Sequence, residues 1–155
     1  MQSDRDHGQV HTRPAHLWEF IQGITTLRPF LIDGVSYGGL IGCVSDLGNF
    51  MQTYLHGGMF KGRTLLQAST IEEMLTPQRD DQGNEFTIVR PMPQHVGLGW
   101  HLNGSEETRY GYHLGDSGGF HTEVRLYPQL DYGIAVCGNE TNYNTAAVTN
   151  MIVMS

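Results

Sequence analysis

The chain has 155 residues, of which 39% are hydrophobic and 10% aromatic, as is typical of one globular domain with its own core. Its formal charge of −7 leaves no basic stripe, which argues against nucleic acid and anionic membrane surfaces as partners. The first residues are polar, unlike a signal peptide, and no apolar run approaches the roughly 20 residues that span a bilayer.

The first half of the chain predicts a polar segment followed by helices. Residues 1–14 have no apolar period, and the apolar spacing after them favours a helix over residues 16–32. A second helix is expected to begin at a Ser45 cap and to end at Gly57, with one apolar stripe facing a core. The stripe comprises Leu47, Phe50, Met51, Tyr54 and Leu55.

A short third helix and a long loop are expected next. Ser69-Thr70-Ile71-Glu72 has the pattern of a capping box, in which serine and glutamate side chains each bond a backbone N–H at a helix start. Pro77 would close this helix. Residues 78–94 contain charged residues, glycine and prolines, which indicates a surface connection.

After Pro93 the period becomes that of strands. Strands are predicted over residues 96–102, 109–114, 120–127 and 132–138, with Asn103-Gly104 as a turn. Alternation gives the third strand one apolar and one polar face, whereas the fourth is apolar on both faces, as in a central strand. Asn144 or Thr145 can cap a final helix.

The two cysteines do not identify the compartment. Cys43 and Cys137 stand in apolar surroundings far apart in sequence. This favours two buried free thiols over a disulfide.

A glycine-rich loop in the last third of the chain suggests catalysis. Gly115-Asp116-Ser117-Gly118-Gly119 spells the loop around the nucleophile of trypsin-like proteases, which would make Ser117 the attacking group. Such enzymes supply their histidine and aspartate on an upstream barrel, and 155 residues leave no room for two barrels. Phe120 also stands where that family has proline, so this protease interpretation is the weaker alternative.

A second pattern covers far more of the chain, from about residue 35 to residue 155. Its parts, in order, are Tyr37–Phe50, Leu66–Gln78, Gly97-Leu98-Gly99-Trp100, His113-x-Gly115 with Gly119-Phe120, and Pro128–Asn139. This order resembles the C-terminal half of the serine β-lactamase, penicillin-binding protein and β-lactamase-like esterase family, with class C enzymes and esterases closest. The resemblance implies an α/β (α+β) class fold, in which an antiparallel sheet is flanked by helices.

The resemblance also implies roles for residues of one strand. His113 takes the place of the cationic or hydrogen-bonding residue of the family's third motif, and Gly115 leaves room for the substrate. The backbone N–H of Asp116 becomes the oxyanion-hole donor, which can lower the barrier by ~3 kcal/mol. Leu114, Ser117 and Trp100 are then substrate-binding residues, although packing is the alternative role for Trp100.

Departures from the family pattern bear on the substrate. Histidine at position 113 in place of lysine, and Leu114 in place of a hydroxyl, favour an ester or peptide-like amide over a β-lactam. The Asp116 carboxylate beside the oxyanion donor works against oxyanion binding. A strand histidine that merely packs beside Tyr112 is the alternative for His113.

The family's nucleophile motif, Ser-x-x-Lys, is absent from these residues. Lys61 is the single lysine and Gly58 stands three places before it; no serine or tyrosine is followed two places later by asparagine, as the second motif requires. We therefore expect a hydrolase fragment without its N-terminal catalytic half, inactive alone. Residues 1–34 would be a remnant of the helical region and 35–155 part of the β-lactamase-like domain. A non-catalytic binding or interaction module is the alternative.

The expected partners follow from the same resemblance. The parent enzyme would act on a small-molecule ester, amide or β-lactam and would need no metal and no organic cofactor. A sheet edge exposed by the missing half would favour self-association.

Overall fold

A computed structural model describes residues 10–12, 25–27, 40, 42–89, 93–105, 107–117, 119–140 and 143–153. The chain divides into two compact units, one made of residues 1–41, 115–122 and 137–155 and the other of residues 42–114 and 123–136. In chain order the described elements are β1 (Val10–Thr12), β2 (Thr25–Leu27), α1 (Val44–Leu55), β3 (Met59–Phe60), β4 (Arg63–Thr64), α2 (Ala68–Met74), β5 (Thr87–Val89), β6 (Pro93–Val96), β7 (His101–Asn103), β8 (Tyr110–Ser117), β9 (Phe120–Tyr127), β10 (Tyr132–Gly138) and α3 (Thr145–Val153).

Six of the described strands form one sheet in the order β10-β9-β8-β7-β6-β5. Strands β5 to β8 pair antiparallel, with His95 opposite Leu102 and His101 opposite Tyr112. Strand β10 lies at one edge of this sheet, so its predicted central position is wrong for the described residues. Among the described residues, no helix combines the length and apolar character needed to cross a membrane.

The N-terminal helix prediction is wrong where the structure describes it. Thr25–Leu27 form strand β2, which pairs antiparallel with β1 so that Val10 lies opposite Leu27. Two β-branched threonines in three positions favour extended backbone, and pairing outweighs the weak apolar spacing. The rest of the range 16–32 lies outside the described residues.

Helix α1 begins at Cys43 rather than at the predicted Ser45 cap. The Asp46 carboxylate accepts a hydrogen bond from the Cys43 N–H at 3.1 Å, and its negative charge also suits the positive end of the helix. Gly57 and Gly58 then take left-handed backbone, with φ of 62° and 89°, which confirms the predicted stop. Cys43 and Cys137 are free but exposed, so their predicted burial is wrong.

The core of the larger unit lies between α1 and the sheet. Met51 and Tyr54 of the predicted stripe are buried there, and Leu47 and Leu55 pack against them. Each such buried apolar side chain contributes about 1.5–3 kcal/mol relative to an exposed one. The other buried members of this cluster are Ile71, Trp100, Leu102, Val124 and Leu126.

Helix α2 begins before its predicted capping box. Its cap is Gln67, whose carbonyl accepts hydrogen bonds from the N–H groups of Thr70 and Ile71, so Ser69 already lies inside the first turn. This start places Ile71 in the core. The predicted loop 78–94 is also partly wrong, because β5 and the start of β6 fall within it.

The single strand predicted over residues 96–102 is two strands joined by a tight turn. Gly97 donates its N–H to the Trp100 carbonyl at 2.8 Å, and Leu98 donates to the Met74 carbonyl at 3.0 Å. Gly97 lies against the end of α2, since a Cβ there would come within 2.3 Å of the Met74 oxygen. The predicted Asn103-Gly104 turn is confirmed, with a φ of 95° at Gly104.

Strand β9 has the predicted bounds but not the predicted polar face. Glu123, 2% exposed, pairs with the buried guanidinium of Arg125, which also lies 5.4 Å from the Tyr110 ring centre. Burial raises the pKa of Tyr110 and of Tyr112 on the adjacent strand. The sequence pattern did not predict the burial of Glu123 and Arg125, because charged residues at every second position of a strand ordinarily indicate a solvent-exposed face.

The final helix confirms one of its two predicted caps. The Asn144 side-chain oxygen accepts a hydrogen bond from the Ala147 N–H at 3.0 Å.

Replacing Gly97 by alanine is expected to lower the free energy of unfolding by about 1–3 kcal/mol, because the new Cβ meets fixed backbone at Met74. Gly48→Ala is the matched control: a Cβ there meets nothing within 4 Å, so the helix gains about 0.5–1 kcal/mol. Urea unfolding followed by circular dichroism measures both. Equal stability of the two variants would contradict the close approach at Gly97.

Two tyrosines, Tyr112 buried and Tyr110 half-buried, are expected to make the fold sensitive to alkali. Because folding raises the pKa of Tyr110 and Tyr112, stability is fully present below about pH 10 and is lost as the pH rises through the folded-state values. Tyr110→Phe should reduce the loss in urea midpoint between about pH 8 and about pH 11. An identical loss in this variant would contradict the role of Tyr110.

Candidate active-site strand

The predicted site residues from His113 to Ser117 lie consecutively on strand β8. The beginning of the strand is buried, at Gly111 and Tyr112, whereas its continuation from His113 to Asp116 is exposed. The described pairing with β7 covers Tyr110–Tyr112. The strand therefore consists of a packed base and a solvent-facing end.

The base of β8 is held by close contacts at Gly111 and Tyr112. A Cβ on Gly111 would lie 2.8 Å from the Leu75 Cδ2 atom and 3.2 Å from the Trp100 ring, so packing requires a glycine here. Tyr112 donates its hydroxyl hydrogen bond to the Gln94 side-chain oxygen. These contacts hold the backbone of β8 in place at its packed end, next to His113.

The His113 ring is exposed and is oriented by two contacts. Its Nδ1 lies 2.8 Å from the Leu114 carbonyl oxygen, which can only accept, so Nδ1 carries the hydrogen. The ring also stacks on that of His101, with centroids 5.6 Å apart and planes 25° apart. Nε2 is consequently the nitrogen that can accept a hydrogen bond from a ligand when the ring is neutral.

Gly115 differs from Gly111 in what surrounds it. A Cβ there would meet the Thr122 Cβ at 3.6 Å, which is an ordinary van der Waals contact. Its φ is not in the left-handed region that favours glycine. The described fold would therefore accept a side chain at Gly115, and its absence leaves the surface of the strand open.

The Asp116 carboxylate faces strand β9. Its side chain is 63% exposed, and Oδ1 lies 3.8 Å from Nδ1 of His121. This distance fits an ion pair but exceeds that of a hydrogen bond.

The three predicted substrate-binding residues have different surroundings. Trp100 is 4% exposed and packs on Phe50 and Tyr54, with ring centroids 6.1 Å and 5.3 Å away, so packing is the role that this position supports. Leu114 is exposed on β8. Ser117 ends the strand, and its side chain lies outside the described part of the structure.

Two histidines beside these residues were not predicted. His101 was hidden because the sequence pattern merged β6 and β7, which prevented any inference about the neighbour of His113. His121 lies opposite Asp116, and only the hairpin register could have indicated that pair. Within the described ranges, no group of three histidine, cysteine, aspartate or glutamate side chains could hold a metal ion.

Comparison with known proteins identifies the family. The beta-lactamase family model matches residues 2–153. The chain belongs to the beta-lactamase family. This membership confirms the family resemblance that the sequence suggested. Trypsin-like proteases, the alternative considered for Ser117, are a different family. Among curated proteins, none matches the chain.

One solved structure has a similar fold. The octameric penicillin-binding protein homologue from Pyrococcus abyssi is 18% identical, with a TM-score of 0.69 over 96% of this chain. The likeness confirms the predicted α/β class with an antiparallel sheet and helices. The match spans 31% of the length of that homologue.

The neutral His113 ring is expected to carry its hydrogen on Nδ1, because the Leu114 carbonyl accepts from that nitrogen. Long-range ¹⁵N–¹H NMR on the intact chain, at a pH where the ring is neutral, reports the tautomer directly. His101→Phe keeps an aromatic ring beside His113 and serves as the control for the stacking contact. A spectrum with the hydrogen on Nε2 would contradict this orientation.

Proposed function

We propose that β8 forms the substrate-binding wall of an acyl-transfer serine hydrolase whose nucleophile lies outside these 155 residues. Residues 35–155 would be the C-terminal part of the catalytic domain, and residues 1–34 a remnant of its helical region. The observation that carries the proposal is the open, exposed strand at Gly115. Membership of the beta-lactamase family makes a small molecule the expected substrate.

Gly115 supports this assignment because packing within the described part of the fold does not explain why a glycine stands there. Glycine costs backbone entropy in a strand, about 0.5–1 kcal/mol relative to alanine. Among the described residues, the nearest atom to a Cβ at this position is 3.6 Å away, so packing of those residues does not require the cost. An extended substrate lying against the backbone does require it, since a side chain would occupy that space.

The Asp116 N–H is the proposed oxyanion donor. Strand β8 has β9 on one side, and its described pairing with β7 stops at Tyr112. An N–H near the end of β8 that points away from β9 is therefore available to a ligand. A rigid backbone donor of this kind stabilises the charge that develops in a tetrahedral transition state.

His113 would orient the substrate or the serine from the same strand. Its ring is fixed by the Leu114 carbonyl and by His101, so Nε2 is presented without further side-chain ordering. The neutral ring can accept a hydrogen bond and the protonated ring can donate one to a substrate carboxylate. Together with the apolar Leu114, this favours an ester or a peptide-like amide over a β-lactam.

Lys61 does not replace the missing catalytic lysine. It lies in the turn between β3 and β4 with a φ of 49°, and its ammonium group sits 5.1 Å from the Phe60 ring centre. The chemistry of Ser-x-x-Lys needs one helical turn between the two side chains, and a hairpin turn does not provide it. Lys61 is therefore not the base in the proposed enzyme.

A non-catalytic binding module on the same fold is the second candidate. The observation that favours it is the absence of Ser-x-x-Lys from the whole sequence. Both candidates predict binding at β8, and they differ in acylation. Self-association through a sheet edge also stays a proposal; Val89 of the edge strand β5 is exposed.

The acylation test uses p-nitrophenyl butyrate and the chain alone. We expect no burst of p-nitrophenol above the buffer rate, because no activated serine is encoded. Ser117→Ala is the control, and its trace should match that of the unmodified chain. A burst that disappears in Ser117→Ala would contradict the proposal and favour Ser117 as the attacking group.

The binding test compares Gly115→Val with the unmodified chain, using N-acetyl-D-alanyl-D-alanine and benzylpenicillin as probes. We expect ¹⁵N–¹H shifts at His113 and Asp116 on adding the dipeptide. Valine at position 115 should weaken binding at least about tenfold, or about 1.4 kcal/mol, by filling the substrate space.

The urea midpoint of Gly115→Val is measured as well. It shows whether the variant binds more weakly because the substrate space is filled or because the fold is destabilised. Thr87→Val, on the exposed edge strand β5, is the matched control and should bind like the unmodified chain. Undiminished binding by Gly115→Val would contradict the proposed wall. Tighter binding of benzylpenicillin than of the dipeptide would contradict the proposed substrate class.

A further inference from the structure

The hairpin of β8 and β9 places a carboxylate and an imidazole together beside the proposed oxyanion donor. Asp116 Oδ1 lies 3.8 Å from His121 Nδ1, and the imidazole is largely buried, with 19% of its side chain exposed. Both residues belong to the same compact unit. The pair is separate from the His113 ring contacts described above.

The His121 nitrogen that faces Asp116 has an unsatisfied position. Nδ1 is buried and lacks a hydrogen-bond partner among the described residues. Buried polar atoms are almost always hydrogen-bonded, and an orphan is unfavourable. A side-chain movement of about 1 Å would bring the exposed carboxylate into hydrogen-bond range of this nitrogen.

The charge of Asp116 matters because of its position. A carboxylate on the residue whose N–H meets a developing oxyanion repels that negative charge. A protonated His121 opposite would offset the repulsion and draw the carboxylate towards β9. The other described ionisable side chains of this unit are Cys137, Glu140 and Tyr143, and the next residue on the same face of β9 is Glu123, paired with Arg125.

We infer that His121 is a positioning residue for the oxyanion site, acting through the Asp116 carboxylate. The inference rests on the proposed function, because it needs the Asp116 N–H to be the donor. An imidazole that pairs with Asp116 presents the N–H without a competing negative charge. Without the imidazole the carboxylate is uncompensated, so binding of an anionic group at this N–H weakens.

The pair itself is tested by NMR on the intact chain, without any ligand. Because the imidazole faces the Asp116 carboxylate, the ¹⁵N–¹H signal of Asp116 should shift in His121→Phe, which keeps an aromatic ring and removes the ring nitrogens. His95→Phe is the matched control, since His95 Nδ1 lies 2.8 Å from the Glu85 carboxylate in the other compact unit, and it should leave the Asp116 signal unchanged.

The consequence for the site is tested with the anionic dipeptide N-acetyl-D-alanyl-D-alanine. At one fixed pH, His121→Phe should bind it about two- to fivefold more weakly than the unmodified chain, the size expected for a partly exposed ion pair. In the Asp116→Asn background the same replacement of His121 should leave binding unchanged, because no carboxylate remains to be offset.

Separate outcomes distinguish the inference from the proposed function. An Asp116 signal that is identical in His121→Phe and in the unmodified chain overturns the inference, whatever the dipeptide does. Failure of the dipeptide to bind, with the NMR effect intact, contradicts the proposed function while the pair stands. An equal loss of binding on replacing His121 with Asp116 present and with Asn at that position overturns the positioning role alone.

Discussion

The contact between Gly111 and Trp100 is the constraint on which the site strand depends. Trp100 can lie flat against β8 only because position 111 has no side chain, and its ring in turn packs on Tyr54 of helix α1. Gly97 meets the backbone of Met74 in the turn that delivers Trp100. Gly97 and Gly111 therefore allow α1, α2 and β8 to pack around one aromatic ring. A side chain at either position would disturb the packed end of β8.

Two glycines four residues apart on this strand serve different purposes. Gly111 is explained by atoms of the chain itself, because Leu75 and Trp100 fill the space where a Cβ would lie. Gly115 is not explained in this way, because among the described residues only Thr122 comes near, at an ordinary distance. Packing within the described fold thus accounts for the glycine at position 111, whereas the glycine at position 115 is accounted for by the substrate binding proposed above.

Sequence reasoning reached the elements with strong local signals and missed those that depend on partners. The bounds of β9, the stop of α1 at Gly57 and the cap at Asn144 were predictable because alternation, left-handed glycine and side-chain capping are local effects. The break between β6 and β7 was not predictable. The turn at Gly97 depends on a close contact with Met74, and the spacing of apolar residues carries no information about that contact. The burial of Glu123 likewise depends on Arg125 and the rings around it.

The candidate site shows the same division. The family was evident from residue order, and the family match over residues 2–153 confirms it. The role of the His113-x-Gly115 motif stays a prediction. The neighbours of the motif were not evident, because they come from the adjacent strands β7 and β9. That difference changes how Asp116 is understood. In the sequence it is an unfavourable carboxylate beside an oxyanion donor; in the fold it faces the buried Nδ1 of His121. Under the proposed function, the Asp116 carboxylate and the imidazole that can compensate it act together. The residue that looks unfavourable in the sequence is then explained by its partner on β9.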